Sequence, residues 1–243
     1  MEWKHKCNID WLYERQGYLT ASSIKRLLPV TATGRPRKVT DVDRMKVWAS
    51  SLVEIREEDC WSYGAAARGH LLEPYAVAEL NDMLEDEVFF HWDDLVVTRP
   101  GRHLAFSPDA MNIPMTHKDW SDVTAIAEVK SYSHEKHLSL AFTEKEKLEE
   151  RWQIAAAMAL MDDIKHAYLV LYDPSMPDYD TVAIRYDRDD LEDEIVTVLK
   201  VEKDWSDFMI KNHSLPGDRI LSTGMKSEDE IIEEIEARQR LNP

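Results

Sequence analysis

The sequence predicts a mixed α/β (α+β) domain in which a central mixed sheet is flanked by helices. Helical spacing of apolar residues fills most of the first 85 residues, and after residue 86 it gives way to short apolar runs typical of strands. Helical and strand patterns then alternate as far as residue 210. With 44% hydrophobic residues among 243, the chain is able to bury a sizeable core.

The N-terminal part of the chain is predicted to be helical. The second of its helices follows Leu19-Thr20-Ala21-Ser22, where Thr20 or Ser22 is a suitable N-cap, and it ends before Pro29. Residues 31–40 read as an exposed basic loop. The predicted helices of this part are 11–15, 23–28, 41–57 and 64–84.

Strands dominate the next part of the chain. Residues 123–130 are predicted to form a central strand, and the helix over 144–161 is predicted to be buried because it becomes apolar on nearly all sides from Ile154 onward. The other predicted elements are strands at 88–90, 95–97, 103–106, 166–172 and 179–186 and an acidic helix at 189–210.

The predicted organisation is one domain over residues 1–214 and an acidic helical tail over 215–243. No apolar run approaches the ~20 residues that a membrane helix requires. The N-terminus lacks the apolar block of a signal peptide, and Cys7 and Cys60 are too few for a disulfide framework. We therefore expect a protein of the cytoplasm.

Charge is distributed unevenly along the chain. The 30 basic and 47 acidic residues give a net charge of −17, which argues against a protein that coats nucleic acid without specificity. Residues 1–48 nevertheless carry ten basic and five acidic residues, so that segment is +5 and the rest of the chain is −22. A basic front on an acidic body is suited to holding a polyanion in one place; chance scatter accounts for the split equally well.

Three charged residues form the sharpest candidate site. Asp109 follows Phe106-Ser107-Pro108 at the end of a predicted strand, and Glu128 and Lys130 lie in the predicted central strand. Side chains two residues apart in a strand share a face, and a hairpin would bring Asp109 beside Glu128. Converging carboxylates repel each other unless a proton or a cation intervenes, and hard oxygen ligands suit Mg²⁺ or Mn²⁺. The alternative is an ordinary turn followed by a surface strand pair.

Two polar residues interrupt helices that otherwise look packed. Glu73 lies in the helix predicted over 64–84, and Gln153 directly precedes the apolar part of the helix over 144–161. Each is compatible with a solvated or internally hydrogen-bonded side chain. Each is also a candidate partner of the three charged residues.

An anion site is predicted near the N-terminus. Ser22 at a helix start would lie beside free backbone N–H groups, and Arg15 supplies a guanidinium nearby. An ordinary N-cap is the alternative, and it accounts for Ser22 but not for Arg15.

Taken together, these segments resemble the phage lambda exonuclease family, also called the YqaJ-like viral recombinase or alkaline exonuclease family. The resemblance covers roughly residues 11–190 and depends on the order and spacing of seven motifs, each weak alone. The motifs are Trp11-x3-Arg15, Leu19-Thr20-Ala21-Ser22, Gly69-x3-Glu73, Ser107-Pro108-Asp109, Glu128-Val129-Lys130, Gln153 and Tyr172-Asp173-Pro174.

The resemblance implies a restriction-endonuclease-like core with a PD-(D/E)xK site. It implies Mg²⁺-dependent digestion of double-stranded DNA from a 5′ end, releasing mononucleotides and leaving a 3′ single strand, with Mn²⁺ as a possible substitute. Matched by position, Asp109 and Glu128 are the expected metal ligands, together with the Val129 carbonyl. Lys130 corresponds to the residue that activates the attacking water.

The remaining matches concern the surroundings of that site. Glu73 corresponds to an additional acidic site residue and Gln153 to a helix residue near the metal or the water. The residues that match the 5′-phosphate cluster are Arg15, Thr20 and Ser22.

The resemblance also implies partners. The family forms ring-shaped trimers that enclose DNA and works with a single-strand annealing protein in phage recombination, so a homotrimer and such a partner are expected. A basic inner lip from residues 15–46 inside an acidic exterior fits a ring. Arg35, Arg37 and Lys38 are the candidates for duplex contacts, and a solvated loop is the alternative.

The sequence departs from the family pattern at positions outside the core chemistry. Ala110 stands where the family often has Gly, Ser131-Tyr132 where it has Cys-Pro, and Ala155 where a second Gln is frequent. These departures affect the expected substrate preference. Two rival functions stay open: a structure-selective DNA endonuclease of the same fold, and an inactive protein that holds DNA ends or recruits a partner.

Overall fold

The structure is a computed structural model that describes residues 4–31, 35–52, 55–117 and 119–212. The chain separates into two units, residues 1–208 and 209–243, and of the second unit only residues 209–212 are described. The tail predicted over 215–243 lies outside the described residues, and the boundary at residue 214 stays a prediction.

Six α-helices are found in the described part of the chain, together with short 3₁₀ turns such as Ile24–Leu27. Local capping explains some of the starts: Asn8 accepts a hydrogen bond from the Asp10 N–H, and Thr40 and Asp43 form a reciprocal capping box. The helices are α1 (Ile9–Glu14), α2 (Asp41–Ser51), α3 (Gly64–Met83), α4 (His134–Ala141), α5 (Arg151–Leu160) and α6 (Glu192–Asn212).

Nine strands are described: β1 (Lys4–Lys6), β2 (Leu19–Thr20), β3 (Trp61–Tyr63), β4 (Phe90–His91), β5 (Leu104–Ala105), β6 (Ala110–Met111), β7 (Ala125–Lys130), β8 (His166–Tyr172) and β9 (Thr181–Asp187). Five of them form the main sheet in the order β4-β6-β7-β8-β9, in which β7 and β8 are parallel and the other pairs antiparallel. Two small sheets pair β1 with β3, antiparallel, and β2 with β5, parallel. The predicted central mixed sheet flanked by helices is confirmed, and β7 is its middle strand.

Alternation along β7 separates the core from the candidate site. Ala127 and Val129 pack against α3 in a cluster that includes Leu72, Ala76 and Leu80. The side chains of Glu128 and Lys130 point to the opposite face, because side chains alternate along a strand. The predicted face assignment is confirmed.

Helix α5 forms a second layer. Its residues from Ile154 to Leu160 are all buried, as predicted, and it contacts β8 and β5. No helix in the described ranges has both the length and the apolar composition needed to cross a membrane.

Two predicted helices are shorter than expected. Helix α2 ends at Ser51, because the hydroxyls of Ser50 and Ser51 donate back to helix carbonyls and compete with continuation of the backbone ladder. Helix α5 begins at Arg151, not at residue 144. A 3₁₀ turn precedes it, and the Tyr186 hydroxyl donates to the Lys145 carbonyl and holds that turn in place.

The strand region also differs from the prediction. Residues 95–97 contribute only an isolated bridge between Val97 and Phe106, while β5 pairs with β2 near the N-terminus. The strand predicted over 103–106 is limited to Leu104 and Ala105. Asp109 instead directly precedes β6, whose two residues are defined only by pairing with β4 and β7.

Candidate active site

One cleft of about 190 Å³ collects most of the residues singled out from the sequence. It lies between the carboxyl end of β7, the start of α5, the first half of α3 and the segment after α1. Its predicted lining residues are Arg15, Thr20, Ser22, Glu73, Asp109, Glu128, Val129, Lys130 and Gln153. The other three candidates, Arg35, Arg37 and Lys38, do not line it.

The β6–β7 hairpin brings the first carboxylate pair together. Ala110 pairs with Ala127 in this antiparallel ladder, so Asp109 falls opposite Glu128. The Val129 N–H donates to Asp109 Oδ2 at 2.6 Å, which fixes the carboxylate at the hairpin end. The N–H and C=O groups of one strand residue point to the same side, so the Val129 carbonyl also faces Asp109.

Glu128 is held from two directions. Its Oε1 accepts from Gln153 Nε2 at 2.6 Å and forms an ion pair with Lys130 Nζ. Only 6% of Glu128 is exposed, whereas the Lys130 side chain keeps 24% of its surface open to the cleft. A carboxylate oxygen on strand β7 therefore accepts a hydrogen bond from a helix residue that lies 25 positions further along the chain.

Burial is the largest influence on the pKa values of the two carboxyl groups, and repulsion between carboxylates adds to it. Burial raises the pKa of Asp109 well above its usual value, and the carboxylates of Glu128 and Glu73 raise it further. Burial also raises the pKa of Glu128, against the opposing effect of Lys130. Burial alone would lower the pKa of Lys130, but the charges of Glu128 and Asp109 outweigh it and raise that pKa. A bound cation would relieve the uncompensated negative charge.

The donor set for such a cation is small. Across the described ranges, no three or more His, Cys, Asp and Glu side chains form a group arranged to hold a metal ion. The available oxygen donors at this position are the carboxylates of Asp109 and Glu128 and the Val129 carbonyl. All three are hard ligands of the kind that Mg²⁺ and Mn²⁺ prefer.

Glu73 is paired with two histidines. His70 Nδ1 lies 3.2 Å from Glu73 Oε1, and His91 Nε2 lies 3.6 Å from Glu73 Oε2. Burial opposes ionisation of Glu73, but the contacts with His70 and His91 prevail and lower its pKa to about 2. The hydrogen bond to Glu73 raises the pKa of His70 in return. Glu73 is therefore the most acidic carboxyl of the cleft.

Sequence reasoning missed both histidines. His70 and Glu73 lie three residues apart on one helix face, and that spacing is a signal that was available. His91 comes from β4, and its contact with Glu73 is visible only in the folded chain.

Arg15 occupies the other wall of the cleft. Its guanidinium lies over the Trp11 ring at 4.1 Å, and Trp11 Nε1 donates to Ser107 Oγ at 3.0 Å. Burial lowers the pKa of Arg15, while Glu128 opposes this effect through the charge it carries. Among the carboxylates that the structure describes, none lies within 4 Å of the Arg15 guanidinium. The cation is thus positioned by an aromatic ring and open to an anion.

The predicted N-cap near Arg15 is wrong. The helix after Ser22 is a single 3₁₀ turn, its N-cap is Ser23, and no side chain caps it. Thr20 Oγ1 instead lies 3.2 Å from Ser22 Oγ and donates to Ser23 Oγ at 2.9 Å, because the segment turns directly after β2. The hydroxyls of Thr20 and Ser22 line the cleft, but the predicted contribution of a helix terminus is absent from this turn.

The three basic loop residues lie outside the cleft. Arg35 and Lys38 are exposed. Arg37 donates to the Arg26 carbonyl at 2.9 Å and lies 3.5 Å from Asp43, so part of its guanidinium serves the loop itself.

Comparison with known proteins supports the fold. No protein-family model and no curated protein matches the sequence. The chain aligns with the crystal structure of the alkaline exonuclease LHK-Exo from Laribacter hongkongensis at 20% identity and a TM-score of 0.58, covering 96% of this chain and 100% of that one. This chain shares the LHK-Exo fold. A second LHK-Exo structure, in complex with dAMP, aligns with the same identity, coverage and TM-score.

The LHK-Exo alignment confirms the predicted restriction-endonuclease-like fold. It extends well beyond residues 11–190, the range of the sequence motifs. At 20% identity the likeness concerns the fold.

Proposed function

We propose that this protein is a Mg²⁺-dependent 5′→3′ exonuclease on double-stranded DNA that releases mononucleotides and leaves 3′ single strands. The observation that carries the proposal is the hairpin register that sets Asp109 opposite Glu128 in a cleft shared with Lys130 and Arg15. The fold shared with an alkaline exonuclease, also solved with a mononucleotide, supports it.

Asp109, Glu128 and the Val129 carbonyl are the proposed ligands of Mg²⁺, with Mn²⁺ as a substitute. The raised pKa of both carboxyl groups supports this assignment, because burial and neighbouring carboxylates disfavour their charged forms and a divalent cation would offset both effects. When bound, the ion supplies charge stabilisation for the phosphoryl oxygens and makes a water more acidic.

The side chains of the cleft have separate tasks. Gln153 holds Glu128 at a fixed position through the hydrogen bond to Oε1. The ammonium of Lys130 donates a hydrogen bond that orients the attacking water for in-line attack. The neighbouring carboxylates raise the pKa of Lys130 and keep it an ammonium. Compensation of the Glu128 charge would lower that pKa, so that Lys130 releases a proton to solvent and, as the neutral amine, accepts one from the attacking water.

Arg15 with Thr20 and Ser22 forms the proposed 5′-phosphate anchor. The open guanidinium and two hydroxyls provide charge-assisted donors for phosphate oxygens. Because the same cleft holds the carboxylates, an anchored terminal phosphate would set the bond to be cut one nucleotide away. Glu73, kept ionised by His70, completes the acidic side of the cleft.

The test is digestion of linear duplex DNA labelled at the 5′ or the 3′ end, with Mg²⁺ or with EDTA, beside a closed circular control. Mg²⁺-dependent loss of the 5′ label as mononucleotide, with the circle intact, is the expected result. Nicking of the circle would identify a structure-selective endonuclease. Bound but uncut DNA ends under Mg²⁺ and Mn²⁺ would identify an inactive DNA-end-binding or recruiting protein.

The proposal includes an assembly and a setting. By the family resemblance, the protein would act as a trimeric ring with a single-strand annealing protein in phage-type recombination, inside the cytoplasm of a bacterial host cell. Arg35, Arg37 and Lys38 would contact the duplex, and Arg35 and Lys38 have the exposure that this role requires.

A further inference from the structure

A small two-stranded ribbon, β1 with β3, presents an alternating basic and aromatic face. Lys4 pairs with Tyr63 and Lys6 pairs with Trp61, and residues two apart in a strand share a face. These four side chains therefore lie on one side of the ribbon, which we call the ribbon face. Lys4 Nζ lies 4.1 Å from the Trp61 ring centroid and 5.7 Å from that of Tyr63.

The ribbon face is accessible and positively charged. Lys4 and Lys6 are exposed, and Tyr63 is 55% exposed. No carboxylate in the described ranges lies within 4 Å of either lysine ammonium. In a chain of net charge −17, two neighbouring cations with no carboxylate partner among the described residues form a local site for a polyanion.

The opposite side of the ribbon leads to the cleft. His5 points to this side and stacks on His70, with ring centroids 4.9 Å apart and an interplanar angle of 22°. His70 in turn lines the cleft and contacts Glu73. Both strands of the ribbon contact α3, the helix that supplies His70 and Glu73 to the cleft wall.

We propose that the ribbon face binds single-stranded DNA adjacent to the cleft. Proteins that hold single strands combine basic groups along the backbone with aromatic rings on which unpaired bases stack. Lysines alone would also suit a duplex, but an exposed ring such as that of Tyr63 adds a stacking surface that only bases free of pairing can use. The choice of DNA over other polynucleotides rests on the proposed function.

The experiment measures binding of a fluorescent 20-mer of deoxythymidine and of a blunt duplex by anisotropy, in EDTA so that no strand is cut. Tyr63→Ala is expected to weaken single-strand binding about ten-fold, within the range for one stacked base, and to leave duplex binding unchanged within about two-fold. Tyr63→Phe keeps the ring and should bind like the unaltered protein.

Removing the lysines tests the backbone contacts. The double variant Lys4→Ala with Lys6→Ala should reduce the slope of log affinity against log salt for the single strand by about 1.4, since each phosphate contact contributes about 0.7. Lys200→Ala with Lys203→Ala, two exposed lysines on α6, removes the same charge elsewhere and should leave the slope unchanged.

Single-strand affinity that neither ribbon variant changes would overturn the proposal. So would equal losses for single strand and duplex with Tyr63→Ala, which would show that no unpaired base is stacked. Cleavage assays on the same preparations keep the two proposals distinguishable. Absence of cleavage would reject the exonuclease, while a selective loss of single-strand binding in the ribbon variants would still support the ribbon face.

Discussion

At the scale of single residues, one carboxylate oxygen organises the cleft. Glu128 Oε1 is shared by Lys130, two residues along the strand, and by Gln153 from α5. Replacing Lys130 or Gln153 removes a partner of the buried Glu128 carboxylate and so alters its ionisation. The controls for such variants must therefore report on folding.

Replacing Lys130 by alanine should abolish cleavage while leaving binding of DNA ends intact. The loss should be at least about 100-fold, the lower range for removal of a proton-transferring group. Single-turnover cleavage and end binding in EDTA are the measurements, and Lys147→Ala, at an exposed surface ion pair, is the control. Loss of folding, seen by circular dichroism, would undercut the assignment of Lys130 to catalysis.

Duplexes with a 5′-hydroxyl end should be digested about ten-fold or more slowly than duplexes with a 5′-phosphate. A hydrogen bond to a charged group contributes about 1.5–3 kcal/mol, and Arg15 would lose its phosphate partner. Arg15→Gln should remove the difference between the two ends, whereas Arg56→Gln, on the exposed surface, should preserve it. Equal rates on both ends with the unaltered protein would reject the phosphate anchor.

The His70–Glu73 pair should stabilise the fold in a limited pH window. The folded pKa of His70 lies above 6.5, so its contribution is full below 6.5 and is lost as the pH rises through the folded value. The pKa of Glu73 falls from 4.5 to about 2, so its contribution is present above 4.5 and is lost as the pH falls toward 2. His70→Ala should therefore lower Tm more at pH 5.5 than at pH 9. A difference of the same size at both pH values would contradict this.

The residues of the cleft differ in how far the sequence reveals them. Asp109, Glu128 and Lys130 are recognisable because strand alternation and a short motif constrain them locally. Trp11 belongs to a sequence motif, but its role as the ring beneath Arg15 depends on contacts between segments. His91 carries no local signal at all.

At the scale of elements, the β6–β7 hairpin sets the geometry of the site. Strand β6 has only two residues, so its register needs further support. Asn112 provides it: Nδ2 donates to Thr124 Oγ1 at 2.9 Å, and Oδ1 accepts from the N–H groups of Thr124 and Ala125 at 3.2 Å each. This side chain ties the two strands together beside the ladder.

Asn112→Ala should lower the free energy of unfolding by about 2 kcal/mol, because it leaves two part-buried backbone donors without an acceptor. Cleavage should fall as well, since the register places Asp109. Asn112→Asp keeps the accepting oxygen and is the matched control. Urea denaturation of the three proteins is the measurement, and equal losses for the two variants would contradict the role of that oxygen.

Element prediction worked where a pattern is long. The seven residues of β8 follow from a continuous apolar run, and its bounds are as predicted. The two-residue strands β2 and β6 are defined only by pairing with distant segments, so no local sequence pattern predicts them. The predicted start of α5 is wrong because Tyr186 fixes the preceding turn through Lys145, which lies 41 residues earlier in the chain.

At the scale of the whole molecule, the fold and the distribution of charge both support the proposed function. The alignment with LHK-Exo, which covers 96% of the chain, shows a known fold. If the proposed function holds, the charge split of +5 and −22 would let the N-terminal region attract DNA while the rest of the surface repels it.

The full chain should have a native mass three times its own 28.3 kDa if the proposed ring forms. Light scattering after size-exclusion chromatography measures this mass directly, and repeating it in high salt tests whether charge contributes to assembly. A mass of 28.3 kDa across the accessible concentrations would reject the ring and leave the chemistry of the cleft untouched.

The hydrogen bond between Asn112 and Thr124, where strands β6 and β7 meet their connecting loop, has a practical consequence for protein engineering. Because Asn112 and Thr124 fasten both ends of the connecting loop, the chain between them is free to lengthen without altering the strand pairing. Met115, 59% exposed, marks an accessible position in that loop. A peptide epitope or a dye-labelling sequence inserted after Met115 would give a tether for single-molecule recording that leaves Asp109 in place opposite Glu128.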